Sequence, residues 1–239
     1  MDKDEYYNMY EQENNFWWYK VLHALIFSVV EKKKRTDLSI FDAGCGTGRL
    51  MEVLNKFGTV EGLDYSDDAI NLCKKRGLVN VQQGDLNQWD SKNIYDIITS
   101  IDVLYHSAIE NDVKVLRKFY NGLNVNGMLV LNLPAFDVLR RDHDKVVHTK
   151  RRYLKKPLCS LLEDMGFEIQ VASYRLPHVY LIIRIQKLLH KFFPTRAGVS
   201  DVKKTSKLIN TILSRLGNLE NKYLLNIGSI PLGSSLFIV

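Results

Sequence analysis

Residues 40–50 read Ile-Phe-Asp-Ala-Gly-Cys-Gly-Thr-Gly-Arg-Leu (IFDAGCGTGRL), with glycines at every second position, Gly44, Gly46 and Gly48. The run Leu38–Asp42 that feeds this turn is short and apolar on both faces, which predicts a buried strand. A helical pattern over Gly48–Phe57 follows at once. Glycine is needed where the backbone turns sharply and a ligand must lie against the main chain with no Cβ in the way. The first amides of the following helix lack intrahelical partners and add polar contacts there. In an open α/β sheet this place, at the carboxyl end of the first strand, is the expected ligand crevice.

The spacing limits the ligand. A dinucleotide fingerprint aligned from Gly44 needs its third glycine at position 49, which is Arg49. No GxxxxGK[ST] occurs, so the turn is not a phosphate-cradling P-loop. Asp42, two residues before the first glycine, disfavours a pyrophosphate and suits a cationic or ammonium-bearing ligand.

Outward from the turn the chain alternates strand and helix. Val60–Asp64, Val79–Gln83, Tyr95–Ser100 and Gly127–Leu133 are predicted strands, and Asp67–Lys75 and about 110–122 are predicted helices. Leu154–Met165 is a further helix, with Pro157 tolerated near its start and Gly166 as its cap. Phe167–Tyr174 and Ser234–Val239 are the last two strands. Apolar strands separated by helix-length spacers predict an α/β protein with a buried, mostly parallel, doubly wound sheet. The stretch between the last two strands is too long for a plain loop and should hold helices of its own.

The glycine turn resembles motif I of the class I S-adenosylmethionine (SAM)-dependent methyltransferases, and the later segments follow in that family's order. The resemblance covers about residues 36–175 and returns at the last strand. It implies a Rossmann-like, seven-stranded sheet with helices on both faces and an antiparallel C-terminal strand. It implies a SAM site that begins in the turn itself, at Asp42, Gly44, Cys45, Gly46 and Gly48. Asp64 and Tyr65 join after the second strand, in VEGLDYS. Asp85 and Leu86 join after the third, in VQQGDL, and Ile101 after the fourth, in TSIDVLYH (99–106). In that family the second-strand acid holds the ribose; a diol donates two hydrogen bonds and one carboxylate can accept both. The third-strand acid reads the adenine amino group, with Leu86 against the ring, and 99–106 lines the methionine end. Plainer roles stay open: Asp42 as a turn cap, Asp64 and Asp85 as caps of the helices that follow, Cys45 as packing.

The implied chemistry is in-line displacement of a sulfonium-bound methyl group, with no metal required. A hydroxyl acceptor also needs a general base. The segment LNLPAFDVLRRDHDKVVHTKRRYLKKPL (131–158) resembles a subgroup with a Pro-Ala-Phe turn and an H-x-x-R-R-Y motif, often associated with saccharide or lipid metabolism. The candidate catalytic residues are His106, His143, His148 and Tyr153. The candidate substrate-binding residues are Arg152, Tyr105 and Trp18. Trp18 belongs to NFWWY (15–19), which resembles that subgroup's Trp-Trp segment and is expected in an N-terminal helical lid, 1–35. The remainder, 36–239, is expected to form the SAM-binding domain, with an acceptor loop at 134–153 and a helical insertion at 176–230.

Composition agrees with a globular chain: of 239 residues 46% are hydrophobic and 25% charged, which excludes a disordered or collagen-like polymer. Three scattered cysteines without a CxxC pair argue against a disulfide framework or structural zinc, and no metal site is expected. The acidic, polar start is wrong for a secretory signal, so the expected location is the cytoplasm. Charge is uneven: 15 Lys+Arg against 20 Asp+Glu in residues 1–139, and 18 against 7 in 140–239. The basic half suits an anionic partner or is ordinary solvated charge. Residues 179–193 form an imperfect basic amphipathic helix, from Val179 through Ile183 to Lys191 and Phe193, suited to peripheral membrane contact, to a hydrophobic acceptor pocket, or to docking onto the domain or a dimer partner. The expected partner is a small-molecule, sugar-linked or lipid-linked acceptor. Nucleic acid is disfavoured: no accessory RNA-binding domain is visible, and residues 132–135 read Asn-Leu-Pro-Ala, not an amino-methylating [DNS]PP[YFW]. A non-catalytic SAM-binding subunit is the alternative from another class, and a methyltransferase acting on RNA or protein is the alternative within the same fold.

Overall fold

Five parallel strands, β1 (Leu38–Ala43), β2 (Gly58–Asp64), β3 (Val81–Gln83), β4 (Tyr95–Ile101) and β5 (Leu123–Pro134), make most of the sheet in the computed structural model, which describes residues 3–91, 93–190 and 206–239. With β6 (Ala172–Arg175) and β7 (Ser235–Ile238) the order is β3-β2-β1-β4-β5-β7-β6. Among the described strands β7 alone reverses direction, pairing antiparallel with both β5 and β6. The chain winds outward from β1 to β3, then returns to lay β4 on the opposite side of β1. That reversal opens a crevice at the carboxyl ends of β1 and β4.

Alternation along each central strand feeds two cores. Phe41 and Ile98 face one side, Ile40 and Ile97 the other, and all four are fully buried. The N-terminal helices are α1 (Lys3–Gln12) and α2 (Trp17–Glu31), followed by α3 (Arg49–Leu54) and α4 (Asp67–Lys75). Later in the chain come α5 (Asp112–Asn121), α6 (Asp142–Val146) and α7 (Lys155–Met165). Phe119 of α5 and Leu162 of α7 pack with Phe41, while Leu25 of α2, Met51 of α3 and Cys73 of α4 pack with Ile40. Helices therefore cover both faces of the sheet, as expected for a doubly wound fold.

Most boundaries shift by three residues or fewer from the sequence reading, and two shift further. The strand expected from Phe167 starts at Ala172, although the Gln170 and Val171 amides already donate to the Val239 carbonyl. Asn126-Gly127 does not precede a strand; it lies within β5, where pairing jumps from Tyr95–Leu123 to Ile97–Met128 and Asn126 adopts φ +63°. The extra residues bulge outward, which an Asn-Gly pair tolerates. The 176–230 stretch holds α8 (Pro177–His190) and α9 (Lys207–Asn226). Lys191 and Phe193, part of the amphipathic reading, lie outside the described residues.

Candidate active site

The glycine turn leaves β1 and is held by β2: the amides of Gly44 and Cys45 both donate to the Leu63 carbonyl, at 2.8 and 3.0 Å. Gly44 and Gly46 sit at φ +84° and +54°, in the left-handed region. A Cβ on Gly44 would stand 2.3 Å from Val103 Cγ2, and one on Gly46 2.9 Å from Met9 Cε. Gly48 instead starts α3 and packs toward Leu78 and Cys73, away from the cavity. The turn is thus bare main chain at the crevice and tightly packed behind it.

Three carboxylates close around this turn. Asp64, at the end of β2, accepts from the Gly46 amide through Oδ2 and from the Ser66 amide through Oδ1, at 2.9 Å each. It is 7% exposed, and burial pushes its carboxyl up. Asp42 accepts from Thr99 Oγ1 at 2.7 Å; burial, with the nearby Asp64 charge adding to it, pushes its carboxyl up to about 7. Asp102, just past β4 at φ +55°, accepts from Asn132 Nδ2 at 2.9 Å, and burial again raises it to about 7. The sequence reading passed over Asp102, although it stands inside TSIDVLYH. An acid at the carboxyl end of a strand flanking the crevice was the signal available. Buried carboxyls pushed toward neutrality favour a cation that would let them ionise.

A second, unforeseen feature lies over the turn. Glu13, just after α1, takes hydrogen bonds from Thr47 Oγ1 and from the Arg76 guanidinium. Arg76 also donates to the Thr47 carbonyl at 2.8 Å and to Glu52 at 2.9 Å, and stacks 4.4 Å from the Tyr10 ring. With the side chains of Glu13 and Arg76 only 4% and 6% exposed, this is a buried clamp of the N-terminal segment onto the glycine turn. Tyr6 of α1 donates to Asp64 Oδ1 at 3.4 Å.

The crevice opens into one cavity of about 860 Å³. Of the residues singled out from sequence, all but Gly48 and Tyr153 line it. At the end beside β2 and β3 are Asp64, the exposed Tyr65, Leu86 and Asp85, whose Oδ1 also accepts from the Asn87 amide at 2.9 Å. At the far end are Tyr105, His106, His143, His148, Trp18, and the aliphatic Val179 and Ile183 of α8. Cys45 is buried in the wall beside Ile101 and Asp42.

The acceptor loop is tied down by its own polar groups. Arg152 forks onto Asp144 (Nε–Oδ1 2.9 Å, Nη2–Oδ2 3.0 Å) and donates Nη1 to the Ala135 carbonyl at 2.9 Å. Its donors are spent inside the protein, so it shapes the cavity wall more than it offers an anion clamp. The Tyr153 hydroxyl lies 2.8 Å from Asp112 Oδ2 and 3.0 Å from the Leu104 carbonyl oxygen, behind the cavity. The Tyr105 carbonyl accepts from the Lys150 and Arg151 amides. Tyr153 and Arg152 are therefore positioned to hold the loop against the 102–106 segment.

The His106 and His148 rings are 5.5 Å apart. His106 Nδ1 accepts from the Ala108 amide at 3.0 Å, so its ring proton resides on Nε2. Burial lowers its pKa to about 4, so it stays neutral and acts as a donor. His148 is exposed on the cavity rim at φ +53°. Among the described residues no group of three His, Cys, Asp or Glu side chains has metal-holding geometry.

A glycine cradle that a Cβ would fill, backed by a carboxylate with lone pairs to spare, fits a sulfonium nucleoside. Comparison with known proteins agrees. Residues 34–192 match the family described as "Methyltransferase domain". The chain is 24% identical over 153 residues to human "Probable tRNA methyltransferase 9B", covering 61% of this chain and 32% of that protein. It is 25% identical over 197 residues to the malonyl-[acyl-carrier protein] O-methyltransferase of Priestia megaterium, covering 76% and 71%. The chain thus spans about a third of the human relative and seven-tenths of the bacterial one. A crystallised SAM-dependent methyltransferase from Clostridium acetobutylicum shares the fold, with TM-score 0.55 and 18% identity over 65% of this chain and 83% of that one. The chain belongs to the methyltransferase-domain family and has a Rossmann-like fold.

Proposed function

We propose that this enzyme methylates a small amphiphilic acceptor, sugar-linked or lipid-linked, by in-line displacement. The observation that carries the reading is the single cavity joining the glycine turn to a wall of imidazoles and aliphatic side chains. It has one polar, acidic end and one end suited to an acceptor with both hydroxyl and hydrocarbon parts. Resemblance of the Trp-Trp and H-x-x-R-R-Y segments to enzymes of saccharide and lipid metabolism supports the same class, as does a relative that acts on an acyl-carrier-linked substrate.

Bound SAM supplies an electrophilic methyl group on a positively charged sulfur. Asp64 would hold the ribose hydroxyls, Asp85 and Leu86 the adenine, and Asp42, Asp102 and the Gly44–Gly48 main chain the charged end. The N-terminal residues 3–31, clamped through Glu13 and Arg76, act as a lid that keeps water from the site. His106 donates from Nε2 to orient the acceptor oxygen, and His148 takes its proton. Tyr153 and Arg152 hold the loop that carries His148. Basic residues on the C-terminal half favour a peripheral site of work at a membrane.

The test incubates the purified enzyme with methyl-labelled SAM and three fractions: extracted membrane lipids, total RNA and soluble metabolites. Label in the lipid or metabolite fraction, lost in Asp64→Ala, is the expected result. Label confined to RNA would overturn the acceptor class while leaving the cofactor site intact.

A further inference from the structure

Helix α9 wears its apolar residues on the outside. Inward it packs Leu213 and the buried Leu224 against α2 and lies close to it at two further points: Asn221 Nδ2 donates to the Val21 carbonyl at 2.8 Å, and a Cβ on Gly217 would stand 2.6 Å from Val21 Cγ1. On the opposite side Leu208, Ile212, Leu216, Leu219 and Tyr223 recur at helical spacing, followed by Ile227 just past the end. All six are exposed, Leu208 at 71% and Ile227 at 74%. Residues so spaced form one continuous stripe. Exposed apolar stripes of this length mark an interaction site. Helix α8 behaves alike. Val179 and Ile183 face the cavity, whereas Leu181, Ile185 and Leu188 are exposed. Val179 of α8 and Leu213 of α9 both pack against the small cluster formed by Trp17, Val21 and Leu176.

The charge on these helices has one sign. Residues 177–190 and 207–226 contain Arg184, Lys187, Lys207, Arg215 and Lys222 against a single acid, Glu220. Glu220 is turned inward, accepting from the Leu176 amide at 2.9 Å and facing the buried Arg175. The outer surface is therefore apolar and purely cationic.

We propose that α8 and α9 form a docking surface for an anionic lipid bilayer, with α9 lying in the headgroup interface. Apolar residues flanked by Lys and Arg partition into that layer through both terms. A second copy of the chain is disfavoured, because face-to-face packing would set five cations against five. A nucleic acid would satisfy the charges and leave the leucine stripe in water. No described helix is long and apolar enough to cross a membrane, so the contact is interfacial. Because α8 is at once cavity wall and outer surface, docking would set the acceptor end of the cavity at the lipid. The inference rests on the surface and does not need the acceptor reading.

Co-sedimentation tests it, using the full chain with vesicles of phosphatidylcholine alone or with an equal part of phosphatidylglycerol. Binding is expected to the anionic vesicles, weakening as salt rises. Each cation at such a surface is worth about fivefold in partition. The triple variant Lys207→Glu/Arg215→Glu/Lys222→Glu should therefore bind at least about a hundredfold less. Leu216→Ser/Leu219→Ser should also release the protein, with SAM affinity by calorimetry unchanged as proof of folding. Absence of binding to either vesicle, or undiminished binding of the charge-reversed variant, would overturn the proposal. So would a salt-stable dimer in light scattering that Leu216→Ser/Leu219→Ser dissolves while vesicles bind nothing. None of these readouts depends on methyl transfer.

Discussion

Asp64→Ala removes a carboxylate that the protein already uses three times, for the amides of Gly46 and Ser66 at 2.9 Å each and for the Tyr6 hydroxyl at 3.4 Å. A carboxylate offers about four lone-pair sites, so about one is open and a second becomes free for a ribose diol when the long Tyr6 bond gives way. Each hydrogen bond to a charged acceptor contributes about 1.5–3 kcal/mol. Losing both costs about 3–6 kcal/mol, or roughly two to four orders of magnitude in SAM affinity. The substitution also strips the Gly46 amide of its acceptor, worth about 1–3 kcal/mol of stability. Calorimetric titration with SAM reads the first effect, and thermal unfolding without ligand reads the second. Asp64→Asn keeps the shape but must turn an amide donor toward one of two backbone donors, so it should weaken binding as well. A Kd within about threefold of wild type in a folded Asp64→Ala protein, under 1 kcal/mol, would refute the assignment of the ribose to this acid.

Further outcomes follow from the same geometry. Asp42 and Asp102 are held up at about 7, and a cationic ligand favours their ionised forms. SAM binding should therefore release protons near neutral pH and tighten as pH rises from about 6 to 8, read as buffer-dependent heats; no proton release would contradict it. Without ligand the sign reverses. The folded values lie above an unfolded value of about 3.9, so these groups contribute stability at low pH that is lost as pH climbs through about 7. His148→Ala should cut turnover by about a hundredfold or more, with SAM affinity kept; full activity would remove His148 from the mechanism. Gly44→Ala meets both φ +84° and a 2.3 Å approach to Val103, and should lower stability by about 2–5 kcal/mol in denaturant titration. Adding Val103→Ala should recover the packing part and leave the backbone part; no recovery would place the strain elsewhere.

The central strands were legible because buried parallel strands are apolar runs bounded by turns, and Asp67–Lys75 is found as α4 with the same bounds. The glycine turn was legible because glycine alone suits its backbone. Contacts between distant residues were not. Nothing in the acidic opening of the chain marks Glu13 as the partner of Arg76, 63 residues on. Arg152 reads as a substrate-binding residue because its type and its place in the H-x-x-R-R-Y segment suit one, but pairing with Asp144 is a tertiary fact. Tyr153 was legible as important and not as lying behind the cavity. The α9 stripe escaped notice for a different reason: hydrophobic periodicity tells that a helix has an apolar face, not whether that face is covered.

The most direct measurement of the central claim is a crystal structure with S-adenosylhomocysteine bound. The account predicts both ribose hydroxyls on Asp64, the adenine beside Leu86 and Asp85, and the sulfur facing the His106–His148 side. A nucleoside bound elsewhere, or a crevice empty at saturating ligand with Met9 and Tyr6 still seated over it, would contradict it.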